Sequence, residues 1–178
     1  SDEGRSIGLS YFKERGMDQA MIERFALGYC PEKEEDAFTK NALDRGFKEE
    51  FLVQTGITKR GQRGLYDFFH GRVIFPIRSI SGRALGFGAR TLRSDKKLAK
   101  YFNSPDSEIY NKSKILYGLF ESKSAIVKLD KCYMVEGYMD VISLHQAGIE
   151  NVVASSGTSL TVEQIRLVRR YTPQITIL

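Results

Sequence analysis

At 178 residues, 42% hydrophobic and 28% charged, the chain is long enough to bury a sizeable core and reads as globular, with one or two domains. No apolar run approaches the length of a membrane span, and the opening SDEGRSIGLS lacks the apolar region of a signal peptide. Cys30 and Cys132 lie far apart and outside any CxxC, which argues against a zinc site or a disulfide framework and makes a reducing cytoplasm the expected compartment.

The first elements are helical. Residues 7 to 15 and 18 to 26 read as two helices, the first stopped by Gly16 and the second capped by Asp18. Glu34, Glu35 and Asp36 are expected to open a third helix that ends near Gly46, with their charges at the positive end of its dipole. A fourth, from 48 to 54, precedes Gly56 and the turn KRGQRG, which should join two short strands. RVIFPIRSI and RALGFGART flank Ser81 and Gly82 and read as a hairpin. Pro76 cannot donate to a ladder, so its strand is expected at an edge or with a bulge.

Charge is unevenly placed along this stretch. Between Arg72 and Lys114 ten basic residues stand against three acids, a balance of +7 in a chain whose net charge is +5. A polyanion is the partner such a segment suits, and Phe87, Tyr101 and Phe102 interleave with the cations as bases would require. A solvated basic face with core aromatics is the alternative.

From Leu129 onward strands and helices alternate: KCYMVEG, YMDVISLHQAG, NVVAS, TVEQIRLVRRY, ITIL. Right-handed crossovers in a parallel sheet follow. Glu136 ends an apolar run and is followed by Gly137, so it reads as a carboxylate at a strand tip, where open α/β sheets bind ligands. Asp140 falls in the first turn of the next helix. Two carboxylates this close suit a hard cation; a solvated acid beside an ordinary first-turn acid is the other reading. Thr161 and Gln164 have capping-box spacing, and the helix start there holds either an anion or water. His70 and His145 read as packing or surface residues and the two cysteines as small hydrophobes. The fold class expected is α/β: a mixed α+β N-terminal subdomain, residues 1 to 120, followed by a βαβαβ parallel sheet, residues 121 to 178, which the resemblance described next implies is only part of a larger one.

VEGYMD, then a helix, the strand NVVAS and SGTSLT opening another helix, resembles the Toprim fold as it occurs in DnaG-type bacterial DNA primases. KYFNSPDSEIYNKSKILYGLFES, from Lys100 to Ser122, resembles the segment that precedes Toprim in those primases, and GRVIFPIRSISGRALGFGART resembles the hairpin before it. The resemblance implies synthesis of RNA primers on single-stranded DNA from ribonucleoside triphosphates, with Mg2+ or Mn2+ stabilising the attacking and leaving oxygens. It implies that Glu136 binds metal or handles a proton, with Asp140 its catalytic neighbour. It also implies that Arg72, Arg90, Lys100, Tyr101, Asn103 and Lys112 contact template or triphosphate. At Phe68 and His70 many relatives have arginines, so that stretch of the template path is expected to be weaker. In Toprim proteins ITIL runs into an Asp-x-Asp pair that completes the metal site. Primases also carry a zinc-binding domain ahead of this region and a helicase-binding domain at the far end. The chain is therefore expected to be an excised piece of a cytoplasmic, fork-associated enzyme, inactive alone. The rival readings are another Toprim protein (a topoisomerase, a nuclease or a phage-type primase-helicase) and a nucleic-acid-binding module that has lost its chemistry.

Overall fold

The computed structural model describes residues 1–93, 99–155, 157 and 159–178. Asp95, Lys96 and Lys97 of the basic segment, and Ser156 and Thr158 of the SGTS loop, lie outside the described residues.

The first helix begins earlier than its apolar spacing predicts, on a π-helical turn at Gly4–Gly8 that runs into α1, Leu9–Glu14. Gly8 is the reason it can sit where it does: a Cβ there would come within 2.5 Å of the Cβ of Tyr29, on strand β1, Gly28–Cys30. Helix α2, Gln19–Arg24, is capped as expected, with Asp18 accepting from the Met21 N–H at 2.7 Å. Helix α3, Ala37–Asp44, is not opened by the acids at 34 to 36, which precede it. Its cap is remote. Asp67, on β3 of the hairpin β2–β3 (Thr58–Gly61 and Gly64–Asp67), accepts from the N–H groups of Phe38 and Thr39 at 2.7 and 2.9 Å and from the Thr39 hydroxyl at 2.6 Å. These are the orphan donors of a helix start, and only a tertiary contact reveals who satisfies them. Helix α4, Glu49–Gln54, closes this layer.

The basic segment forms the centre of a four-stranded antiparallel sheet in the order β1-β4-β5-β6, where β4 is Arg72–Arg78, β5 Ala84–Thr91 and β6 Tyr101–Asn103. The strand carrying Pro76 is thus interior, with a bulge between Ile77 and Arg78. Its proline is nonetheless placed as the chemistry demands. β1 pairs no further along β4 than Ile74, so the side of Pro76 that lacks an N–H faces no strand. Its partner Phe87 donates its own N–H the other way, to Ser104 Oγ at 2.9 Å.

The second half follows the expected alternation. Helix α5, Leu119–Leu129, was not expected and precedes that alternation, leading into β7, Cys132–Val135, then α6, Tyr138–Gln146, β8, Val152–Ala154, α7, Val162–Val168, and β9, Ile175–Ile177. The three strands are parallel in the order β8-β7-β9. Thr161 and Gln164 form the full capping box at 3.1 Å in each direction. The Gln164 amide also donates to the carbonyls of Lys112 and Ile115, tying α7 to the end of the basic segment.

The two halves share one core. Phe12, Phe25 and Phe75 from the first pack in the same cluster as Tyr138, Val141 and Val152 from the second. Tyr117 bridges them through the backbone, exchanging hydrogen bonds with Ala154 at 2.9 and 3.0 Å. His145 of α6 is buried at this junction, with Nε2 2.9 Å from Ser122 Oγ of α5 and its ring edge-on to Phe25. Burial pushes its pKa down to about 4, with the Arg24 charge adding to the effect. Cys30 and Cys132 are free thiols that burial pushes up to about 12, as small hydrophobes should be.

Candidate active site and nucleic-acid interface

Glu136 is the first residue past β7, exposed at the carboxyl end of the central parallel strand. Gly137 follows in extended conformation and lets Asp140 reach back: its N–H donates to Asp140 Oδ2 at 3.0 Å, and a Cβ at residue 137 would lie 3.0 Å from that oxygen. Asp140 therefore spends one carboxylate oxygen on an orphan donor of α6, the acidic half of a capping box. The pair that looks symmetrical in the sequence has two different environments.

Five of the residues picked out by sequence converge. Tyr101, Asn103 and Lys112 from the first half face Glu136 and Asp140 from the second across a cleft of about 650 Å³. The Tyr138 hydroxyl donates to Asn103 Oδ1 where the two walls meet. Lys112 is exposed, and its N–H donates to the carboxylate of Asp106, which lines the same cleft. A second concavity of about 440 Å³ also reaches Glu136, between the ends of β7 and β9 and Ser155, Gly157, Ser159 and Leu160.

Arg72, Arg90 and Lys100 are placed differently. In the β4–β5 ladder Arg72 pairs with Thr91 and Val73 with Arg90, so the two guanidiniums leave opposite faces of the sheet. Arg90 shares a face with Tyr101 and Asn103. It is only 9% exposed and lies between the rings of Tyr11 and Tyr101, 5.0 and 5.6 Å from their centroids. Arg72 stacks on Phe102 at 4.1 Å and donates to the His70 carbonyl at 2.9 Å. Burial first, and the Arg93 charge second, hold its pKa below the usual arginine value. Among the described residues neither Arg72 Nε nor Arg90 Nε has a hydrogen-bond partner. Lys100 is exposed beside β6. Two other cations of the segment are neutralised from outside it, Arg78 by Glu121 at 3.1 Å and Arg93 by Glu32. The local excess of positive charge is thus smaller than the sequence count and split between two faces.

Sequence reasoning missed the glycines that build the cleft. Gly86 and Gly88 alternate on one face of β5; Cβ atoms there would come within 3.0 Å of the Tyr110 ring and 2.3 Å of the Tyr138 ring. The signal was present in LGFGAR, because two glycines at a spacing of two bare one face of a strand and invite large side chains onto it. Asp106 and Tyr138 gave no such signal.

The described residues hold no group of three or more His, Cys, Asp or Glu able to hold a metal ion. A hard divalent cation takes about six oxygen ligands. Glu136 fits as one of them, while Asp140 has one oxygen engaged, so these side chains alone do not make a complete site.

Comparison with known proteins decides the family. The family described as "DNA primase catalytic core, N-terminal domain" matches residues 1–123, and a Toprim-like family matches residues 133–178. The chain belongs to the DNA primase catalytic core family. It is 42% identical over 178 residues to the DNA primase of Clostridium acetobutylicum, covering 98% of this chain and 29% of that protein. The RNA polymerase domain of Mycobacterium tuberculosis primase DnaG, in complex with a double-stranded DNA oligomer with a 6-nucleotide overhang, superposes with a TM-score of 0.88 at 37% identity. That match covers 93% of this chain and 52% of the other. A DnaG primase catalytic domain bound to single-stranded DNA gives a TM-score of 0.83 at 39% identity, covering 97% and 55%. The primase-core chain described here therefore spans between a quarter and three tenths of such curated relatives and about half of the solved domains. No described helix is long and apolar enough to cross a membrane.

Proposed function

We propose that this chain supplies the template-binding wall and the strand-tip carboxylate of a DNA primase that makes RNA primers on single-stranded DNA during replication. The observation that carries the proposal is the cleft in which Tyr101, Asn103 and Lys112 face Glu136 and Asp140. Nucleotidyl transfer needs cations and stacking surfaces to hold phosphates and bases on one side of a reacting centre, and carboxylate on the other. In this reading Lys100 and Lys112 provide point charges for phosphate oxygens. Arg90, held between two tyrosine rings, offers a fixed guanidinium behind Tyr101, and Arg72 does the same on the opposite face of the sheet. The relatives solved with DNA support a nucleic-acid partner.

Glu136 is proposed as one carboxylate ligand among several, and Asp140 as the acid that fixes the turn presenting it. A divalent cation, Mg2+ or Mn2+, supplies charge stabilisation for the attacking and leaving oxygens when bound. Ribonucleoside triphosphates are the proposed substrates, the growing primer the product, and a replicative helicase the partner of another domain, in the cytoplasm at the fork. The proposed boundary between the two functional halves is at residues 120 and 121.

The test is Glu136→Gln in the full-length primase, which keeps shape and removes charge. Primer synthesis should fall by about a hundredfold or more, while single-strand affinity stays within about twofold of wild type. Near-normal synthesis over a range of Mg2+ concentrations would contradict the assignment.

A further inference from the structure

The Tyr138 ring is buried at the wall of the cleft, and the reaction as proposed gives it no task. It is 4% exposed, stacks on Phe75 with centroids 5.1 Å apart and planes within 11°, and receives Tyr117 edge-on at 4.7 Å. Below it β5 is stripped to Gly88, and any Cβ there would enter the ring. Tyr138 is also the first residue of α6, two positions beyond Glu136. A ring boxed on three sides fixes where its hydroxyl oxygen lies, and from there the hydroxyl donates across the junction to Asn103 Oδ1. Asn103 sits on β6 opposite Gly88 and lines the cleft. A tyrosine chosen only for packing would gain nothing from a polar tip here, since Phe stacks equally well on Phe75.

We propose that Tyr138 is a positioning residue: its hydroxyl ties the strand-tip turn that carries Glu136 to the edge strand that carries Tyr101 and Asn103, and so fixes the width of the cleft at the reacting centre. Carboxylate and phosphate-binding wall come from different sheets, and this side-chain hydrogen bond joins α6 directly to β6. Losing it leaves the ring in place and frees the two walls to shift by fractions of an ångström. Orientation-dependent steps respond to such shifts in turnover more than in binding. The inference rests on the primase reading given above.

The experiment compares Tyr138→Phe with wild type and Glu136→Gln in the full-length primase, reading kcat and KM for the first dinucleotide and the thermal midpoint. Tyr138→Phe should lower kcat about tenfold, as loss of one hydrogen bond allows, with KM for the triphosphate within about twofold and the midpoint nearly unchanged. In an Asn103→Leu background, where the acceptor is already gone, Tyr138→Phe should have no further effect. A wild-type kcat in Tyr138→Phe, or the same tenfold loss in both backgrounds, overturns the inference. Should Tyr138→Phe melt early, Asn103→Gln carries the test, because it displaces the acceptor without touching the ring: a kcat loss of similar size with KM for the triphosphate and single-strand affinity within about twofold of wild type supports the inference, and an unchanged kcat, or a loss that comes with weakened KM or affinity, overturns it. If wild type makes no dinucleotide, or Glu136→Gln matches it, the primase reading has failed instead.

Discussion

The antiparallel and parallel sheets of this molecule organise their functional groups in opposite ways. In the parallel unit the chain returns to the same end of the sheet after each crossover, so position along the sequence already says where a side chain emerges: Glu136 follows β7 and lands at the carboxyl edge. In the antiparallel sheet neighbouring residues alternate between faces. Arg72 and Arg90 sit at paired ends of β4 and β5 and still emerge on opposite sides. Counting charges in a segment therefore locates a site in the first kind of sheet far better than in the second.

The contrast can be broken most forcibly through stability. Asp67→Ala removes the acceptor from three donors at the start of α3 and should cost about 3 kcal/mol, at roughly 1 kcal/mol for each hydrogen bond removed. Amide exchange is the measurement: protection should fall in α3 and the β2–β3 hairpin while β7 and α6 keep theirs. Equal loss in β7 would mean that the two regions open as one unit despite their different designs.

The junction offers a second, somewhat smaller handle. His145 is held neutral with a pKa of about 4 against 6.5 in the unfolded chain. Its folded pKa is depressed, so the unfolded state binds the proton first; the penalty is absent above about pH 6.5 and complete below about pH 4. It amounts to about 3 kcal/mol at most. Chemical denaturation of wild type and His145→Leu at pH 7 and pH 4 should show the variant gaining by nearly that amount between the two conditions. Ser122 keeps its bond to the Val152 carbonyl at 2.6 Å, so the variant strands no donor there. Parallel pH curves would place the acid sensitivity elsewhere.

The alternation of strand and helix after Leu129, the Asp18 cap, the capping box of Thr161 and the hairpin around Gly82 were all legible, because each is decided by residues within a few positions of one another. Strands β1 and β6 were not: neither belongs to the strand–helix alternation that exposes the equally short β8 and β9, and both exist because β4 and β5 offer them an edge. The cap of α3 by Asp67 was hidden for a related reason, since 28 residues separate it from Thr39. At the site, Glu136 was readable from the end of an apolar run followed by glycine. The difference between Glu136 and Asp140 was not, as it depends on the Gly137 N–H turning toward one of them. Tyr138 was passed over because a tyrosine in a helix start is ordinary until its hydroxyl has a direction.

The division of labour between the sheets is tested most directly by fluorescence anisotropy of a labelled single strand across several salt concentrations. The proteins to compare are wild type, Glu136→Gln, and a triple variant with Arg90→Met, Lys100→Ala and Lys112→Ala; methionine fills the slot between Tyr11 and Tyr101 without the charge. Each cation that no longer neutralises a phosphate should flatten the plot of log affinity against log salt by roughly 0.7. The account predicts a slope about 2 units shallower and weaker binding for the triple variant, with Glu136→Gln indistinguishable from wild type. Unchanged affinity and slope in the triple variant, or a comparable change in Glu136→Gln, would contradict it.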